Sequence, residues 1–369
     1  MLTTKELLYL LALQRVPNLG DASAKKLLRI VGSAEAIFRE KKSNLLKIDG
    51  IGPRKLHQLE LHQQLPEAET ELDFIKTNDI AYCSFLDQRY PEKLQHCHDA
   101  PILLFQKGNI DLQGKKIISI VGTRKATAHG VEFCEELIRD LAPLGPIIVS
   151  GFAYGIDIAA QKTAMQNGLQ TIGCLAHGFS RMYPSSHKRY VQRVESHGGF
   201  LTEFWSCDSF ERNNFLKRNR IIAGISEATI VIESAAKGGS LVTADIANSY
   251  HRDVFAVPGR TTDAQSRGCN DLIKSQQAHL LHSAADLIYM LGWSLETPAP
   301  KPVQTQLFVA LSDEEKIIWN YLNSKGKVLL DTIAIHCQLP TYKVASLLLT
   351  MELKGLIKPS PGNLFQIIQ

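Results

Sequence analysis

The chain has 369 residues, 44% apolar and 21% charged, with 41 Lys+Arg against 37 Asp+Glu, a formal charge of +4 and seven Cys. That length calls for two or three domains, and the apolar content excludes wholesale disorder. Cysteines without paired close spacing make no disulfide framework and no long uncharged apolar run is present, so a reduced, cytoplasmic protein without a membrane span is expected; as an average, the mild charge speaks against nucleic acid.

Residues 1–65 read as short helices joined by glycine turns and hold 11 Lys+Arg against 6 Asp+Glu, a net +5. The run Leu46-Lys47-Ile48-Asp49-Gly50-Ile51-Gly52-Pro53-Arg54-Lys55 resembles the hairpin of a helix-hairpin-helix (SAM-like) element, in which N–H groups at a helix start face a phosphate. Val16-Pro17-Asn18-Leu19-Gly20 before Ala24-Lys25-Lys26 looks like a degraded second copy. A purely structural hairpin satisfies the same pattern.

Residues 66–292 form the central domain, with 66–110 as a β/α lead-in. From about 111 on, short apolar runs (Lys116 to Val121, Ile147 to Val149, Thr171 to Leu175, Ala228 to Ile232, Val254 to Val257) alternate with helical patterns. Near-continuous β-branched runs separated by helices predict a parallel sheet covered on both faces. The stretch carries 23 basic and 25 acidic residues, so its average says nothing about a partner.

Three glycine-rich loops follow predicted strands: Gly122-Thr123-Arg124-Lys125, Ser150-Gly151-Phe152-Ala153-Tyr154-Gly155, and Lys237-Gly238-Gly239-Ser240 leading to Thr243. Glycine permits the sharp turn, helix-start N–H groups attract an anion, and such loops gather at the carboxyl edge of an open sheet. A row of three suits a polymer of phosphates better than one nucleotide, though any single loop is satisfied by a tight turn. No G-x-G-x-x-G is present, and Gly108 to Lys116 lacks the Ser or Thr that a Walker A loop needs, which disfavours a nucleotide triphosphatase. Lys217, Arg218 and Arg220, with Asn219, form the densest positive run, leading into the apolar Ile221-Ile222-Ala223. One or more of these Arg is then partly enclosed and needs an anionic partner; Glu203 and Glu233 are internal candidates. Tyr183-Pro184-Ser185-Ser186-His187-Lys188-Arg189 adds polar and basic groups after the third strand.

Residues 293–310, with Pro298, Pro300 and Pro302, read as a semi-rigid linker. In 311–369, Ser312 with Glu315 makes a capping box, Val344, Leu347, Leu348 and Met351 share a helical face, and Pro361-Gly362-Asn363 turns between two apolar runs. Three helices and a hairpin resemble a winged helix, a shape used for DNA binding and for protein docking alike. Its candidate recognition helix has only Lys343 and Lys354 as cations.

Other groupings carry less. His96-Cys97-His98 has no companion cluster for structural zinc, and Cys174 with His177 could be drawn as nucleophile and base, although Cys174 reads as the end of a buried strand. An apolar strip at Ile246, Tyr250 and Val254 is either core or a subunit interface.

The motif set Val121-Gly122-Thr123-Arg124, Ser150-Gly151-x-Ala153-x-Gly155-Ile156-Asp157, Tyr183-Pro184, Arg218-Asn219-Arg220-Ile221-Ile222-Ala223-Gly224, Gly239-Ser240-Leu241-x-Thr243-Ala244 and Val257-Pro258-Gly259 through Gly268-Cys269-Asn270 resembles the DNA-processing protein A family (DprA/Smf). The resemblance implies an α/β fold: an extended Rossmann-like parallel sheet with an N-terminal helical domain and a C-terminal winged helix. It further implies a homodimer, without cofactor or catalysis, that binds single-stranded DNA and helps load the RecA recombinase in natural transformation. By motif, Gly122, Thr123 and Arg124 would hold phosphates. Ser150, Gly151 and Gly155 would present N–H groups and a hydroxyl. Arg218, Asn219 and Arg220, with Lys188 and Lys217 beside them, would supply charge, and Gly238, Gly239, Ser240 and Thr243 would close the groove. Relatives usually carry Arg where this chain has Tyr154, which either weakens a phosphate contact or replaces it with base stacking. The rival reading is a nucleotide phosphoribohydrolase of related fold, for which the catalytic carboxylate would have to be Asp245 or come from elsewhere. Segment by segment the charge is +5, −2 and +1, so the average conceals position.

Overall fold

The computed structural model describes residues 3–294, 311–360 and 362–367; residues 295–310 of the expected linker, and Pro361 of the expected turn, lie outside them. The chain divides into two compact units, Met1–Leu295 and Glu296–Gln369.

The first unit is built on a nine-stranded sheet: β1 Ala81–Ser84, β2 Leu103–Gly108, β3 Ile117–Val121, β4 Ile147–Ser150, β5 Thr171–Cys174, β6 Gly198–Thr202, β7 Ala228–Val231, β8 Asp253–Ala256 and β9 His279–Leu280. The order is β1-β2-β6-β5-β4-β3-β7-β8-β9. From β6 to β9 all neighbours are parallel, and β1 and β2 extend the sheet antiparallel. Helices cover both faces, so β3, β4 and β5 are buried at every position, which is why they read as unbroken apolar runs. Successive strands β4, β5 and β6 build outward on one side of β3, while β7, β8 and β9 build on the other. A crevice therefore opens at the carboxyl ends of β3 and β7, the switch point of this topology.

The helical head packs onto this sheet with a shared core: Leu10, Leu11, Leu28 and Ile37 join Ile102 and Phe105 around Trp205. The helix Leu61–Thr77 runs straight across the boundary expected at residue 65. Polar ties accompany the packing. Asp21 accepts from the Ile102 N–H at 3.0 Å, the Lys25 ammonium donates to the Cys97 carbonyl at 2.7 Å, and the Arg15 guanidinium stacks 3.9 Å from the Trp205 ring while pairing with Asp208 at 2.7 Å. Each satisfies a group that burial would otherwise leave without a partner. Val254 is buried in the core under the helix Gly239–Ser249, with Ile246 and Tyr250 packed against it, so the apolar strip is core.

In the second unit the helices Asp313–Lys325, Leu330–Cys337 and Thr341–Leu353 enclose Ile318, Ile333, Val344, Leu348 and Met351. Strand β12 (Leu364–Ile367) pairs with β11 (Ile357–Ser360) and with β10 (Val328–Leu329), completing a winged helix. The Ser312–Glu315 capping box forms. Lys343 pairs with Glu314 and Lys354 with Glu315, so both cations of the recognition-helix region are neutralised from within.

Candidate functional site

A groove of about 850 Å³ occupies the switch-point crevice. Three segments form its walls: the loop after β3 (Gly122 to Lys125), the start of the helix Arg212–Ile225, and the loop after β7 (Lys237 to Ser240). The first and third are tied together by the Thr123 N–H, which donates to the Glu233 carbonyl at 2.8 Å. Below them, the Glu233 carboxylate accepts from the Thr127 N–H at 2.9 Å and so fixes the start of the helix Ala128–Leu141.

The charge lining the groove is one-sided. Arg124, Lys125, Arg212 and Lys237 are exposed along its rim, and none has a carboxylate partner among the described residues. The one acid in the lining is Asp157, buried and accepting from the Gly151 and Ala153 N–H groups at 3.1 and 3.4 Å. Burial pushes the Asp157 carboxyl up and the Arg218 guanidinium down, while their mutual attraction opposes both shifts. The helix Gly239–Ser249 opens on the groove with Gly238 as its N-cap and no capping side chain, leaving its positive end toward the cavity. An anion is the natural occupant.

Aromatic rings stand beside the cations. Phe215 and Phe210 line the groove with centroids 5.4 Å apart, and Tyr183 follows 4.6 Å from Phe210. The Arg124 guanidinium lies 5.2 Å from the Phe215 ring, within cation–π range, which orients it without neutralising it. Tyr154 is 43% exposed, accepts from the Ser186 hydroxyl at 3.0 Å and packs edge-on to His187 at 4.9 Å.

The residues expected from sequence divide into three sets. Gly122, Thr123, Arg124, Asn219, Gly238, Gly239, Ser240 and Thr243 meet in the groove. Ser150, Gly151 and Gly155 support it from behind, while Arg218 lines the groove and also holds the loops behind it. The Ser150 hydroxyl donates to the Ile120 carbonyl at 2.7 Å and the Gly151 N–H is held by Asp157, so neither is presented to a ligand as expected. At Gly155 a side chain would overlap the Thr123 carbonyl, and φ is +76°; glycine lets the second loop lie flat against the first. Arg218 is 4% exposed and donates to the carbonyls of Gly151 (2.7 Å) and Cys174, clamping the loops after β4 and β5. Lys188, Lys217 and Arg220 lie off the groove. Lys188 and Lys217 are exposed elsewhere, and Arg220 is a buried tether joining Glu203 to Asp21 of the head.

Arg212, Lys125, Lys237, Phe210, Phe215 and Gln265 line the groove without having been assigned to it from sequence. The helical period was the available signal: Arg212, Phe215, Asn219 and Ile222 fall on one face, and Lys217, Arg220 and Gly224 on another. The candidate nucleophile Cys174 is buried and its thiol is pushed up to about 12, while His177 is lowered by burial and accepts from the Tyr183 N–H, so the pair offers no thiolate. Asp245 lines a different cavity, between the helices Gly239–Ser249 and Arg267–Lys274. Among the described residues no group of three or more His, Cys, Asp or Glu is placed to hold a metal ion.

Comparison with known proteins gives two family matches and several relatives. Residues 81–292 match the family described as DNA recombination-mediator protein A, and residues 297–363 match the DprA winged helix domain. DNA processing protein DprA of Streptococcus pneumoniae is 37% identical over 230 residues, covering 62% of this chain and 80% of that protein. A putative DNA processing protein DprA of Mycobacterium tuberculosis is 28% identical over 364 residues, 95% of this chain and 92% of that protein. Among solved structures, the Streptococcus pneumoniae DprA superposes with a TM-score of 0.66 at 32% identity, covering 78% of this chain and 98% of that one. A Helicobacter pylori DprA, described for its single-stranded DNA binding mode, gives 0.52 at 28% identity over 57% of this chain and 95% of that one.

Proposed function

The chain belongs to the DNA recombination-mediator protein A family, and from that premise we propose that it binds single-stranded DNA in the switch-point groove without cutting it, and hands the strand to RecA during transformation or recombination. One observation carries the reading: four exposed cations without carboxylate partners and an uncapped helix start face the same cavity, with exposed aromatic rings at its side. Cations and N–H groups suit the repeating phosphates, and ring faces accept any base, so a strand is held without sequence preference. Duplex hides the base faces that Phe210, Phe215 and Tyr183 would stack on, which favours single strands.

Two features support the rest of the assembly. The sheet ends in β9, whose two residues His279 and Leu280 are exposed, and Tyr289 and Met290 of the helix Ala284–Met290 that follows also expose apolar surface, which suits pairing with a second copy. All seven cysteines are free, as in a reduced cytoplasmic setting. A hydrolase is the weaker reading, because Asp245 lies outside the groove and the acid that lines it, Asp157, is buried and held by the Gly151 and Ala153 N–H groups.

Fluorescence anisotropy with labelled oligo-dT tests the proposal. Binding should tighten at low salt, with a log–log slope of about 0.7 per phosphate contact, and unlabelled duplex should compete poorly. Failure to bind at low salt would sink it, as would release of free base from a nucleoside monophosphate. Sedimentation tests the dimer. RecA ATPase on strands pre-coated with a single-strand binding protein tests loading, since a mediator should restore it.

A further inference from the structure

The segment between β5 and β6 carries four cations that the groove does not use. Arg181, Lys188, Arg189 and Arg193 are all exposed, no Asp or Glu occurs from Leu175 to Val194, and none of the four pairs with a carboxylate among the described residues. The nearest acid in sequence, Glu195, faces Lys107 at 3.8 Å. Arg189 and Arg193 are four residues apart across the junction of the 3₁₀ turn Ser185–Tyr190 and the helix Val191–Ser196. A solvated basic face normally gathers acidic neighbours, and this one has none within the segment.

The cations also connect to the groove through aromatic contacts. Tyr183 lies on the same segment and packs against Phe210 and Phe215, which line the groove. Ser186 donates to the Tyr154 hydroxyl, and His187 lies between the Tyr154 and Tyr190 rings, with centroids 4.9 and 6.0 Å away. The Arg189 guanidinium sits 4.8 Å from the Tyr190 ring. Rings and cations interleaved in this way are what a strand needs to continue: phosphates on the guanidinium side, bases on the ring faces.

We propose that Arg181, Lys188, Arg189 and Arg193, with Tyr154 and Tyr183 as the bridge, form a second phosphate track on which a single strand continues after leaving the groove. This rests on the single-strand reading of the groove and adds to it a longer footprint. Tyr154 then serves as a stacking surface at the bend.

The test compares oligo-dT of about six and about twenty nucleotides, lengths that bracket a single site and a longer path. The parent should bind the long strand more tightly and with a steeper salt slope. Arg181→Gln, Arg189→Gln and Arg193→Gln combined should lower affinity for the long strand about tenfold and its slope by about 2, at about 0.7 per contact, while leaving the short strand unchanged. The matching triple Arg→Lys variant should keep most of the slope, and equal melting temperatures would show that all three proteins are folded. If the parent holds both lengths equally, or the Gln variant matches the parent on the long strand, the track is overturned and the groove reading stands. If the parent binds neither length, both fall.

Discussion

The helical head carries the largest net charge of any segment, and the groove lies in a segment whose net charge is slightly negative, yet it is the groove that gathers four unpaired cations around one cavity. In the head, Lys5 and Arg39 share Glu35, Lys26 pairs with Asp49, Lys42 with Glu60 and Arg15 with Asp208. Lys55 donates to Ser23 and to the Gly50 carbonyl, and Lys25 is buried against the Cys97 carbonyl. The hairpin expected to face a phosphate is thus closed from inside, and the helix it opens, Pro53–Leu56, is four residues long. In the groove Arg124, Lys125, Arg212 and Lys237 have no such partners among the described residues. Segment charge counts cations, whereas anion binding depends on which of them lack a carboxylate and stand at a concave, low-dielectric edge.

The largest effect that would break this contrast concerns Arg220, which sequence places among the binding cations and structure places between Glu203 and Asp21. Burial pushes the Glu203 carboxyl up against the pull of Arg220, while the two carboxylates hold Arg220 charged. Arg220→Ala leaves a buried carboxylate alone and should cost about 3–5 kcal/mol of stability, read as a lowered urea midpoint. Glu203→Gln added to it should recover part of the loss. If Arg220→Ala instead folds normally and loses DNA affinity, Arg220 is a binding cation and the contrast fails.

Next in size are two groove variants that separate charge from stacking. Arg124→Ala removes a charge-assisted contact of about 1.5–3 kcal/mol, so affinity for oligo-dT should drop at least tenfold and the salt slope by about 0.7. Phe215→Ala should weaken binding by about 1–3 kcal/mol per stacked base with the slope unchanged. Equal slope changes in the two would show that the ring acts only by positioning Arg124.

How much of this was legible depends on where the information resides. The parallel strands could be read because both faces are covered, and so could Gly122 to Arg124 and Gly238 to Gly239, because strand, glycine loop and helix start form a local signature. Strand β6 is harder to see, since Gly-Gly-Phe-Leu-Thr has no β-branched run; its glycines are required where the backbones of β5 and β2 approach too closely for a side chain. Within the helix Arg212–Ile225, residue type could not separate Arg212 from Arg220. The separation depends on which face looks onto the ends of β3 and β7, and that is fixed by strands distant in sequence.

A smaller effect sharpens the picture of the head as a place where cations are enclosed and not offered to an anion. Burial lowers the Lys25 ammonium to about 8, so the native state releases its proton while the unfolded chain still keeps one near pH 10. The unfolded state binds more protons in that window, and stability should rise from pH 8 to 10.5, by on the order of 2 kcal/mol. Lys25→Met keeps the apolar volume and should flatten the difference between urea midpoints at pH 7 and pH 10. A parent curve with no such rise would place Lys25 in solvent.

The smallest expected effect is the most direct test of the comparison. Lys47 and Arg54 flank the Gly50-Ile51-Gly52 turn, are exposed and lack carboxylate partners among the described residues, so they are the head's best remaining phosphate ligands. Yet Lys26 and Lys55, the other cations at the turn, already donate to its own carbonyls, so Lys47 and Arg54 are left to act alone. Two exposed cations in full contact with solvent gain little from a phosphate beyond screened Coulomb attraction. Lys47→Ala with Arg54→Ala should therefore change oligo-dT affinity by no more than about twofold at moderate salt, the range of surface substitutions that remove no contact. A tenfold loss with a slope change of about 1.4 would mean that the strand reaches the head, and that partner counting alone does not locate the binding surface.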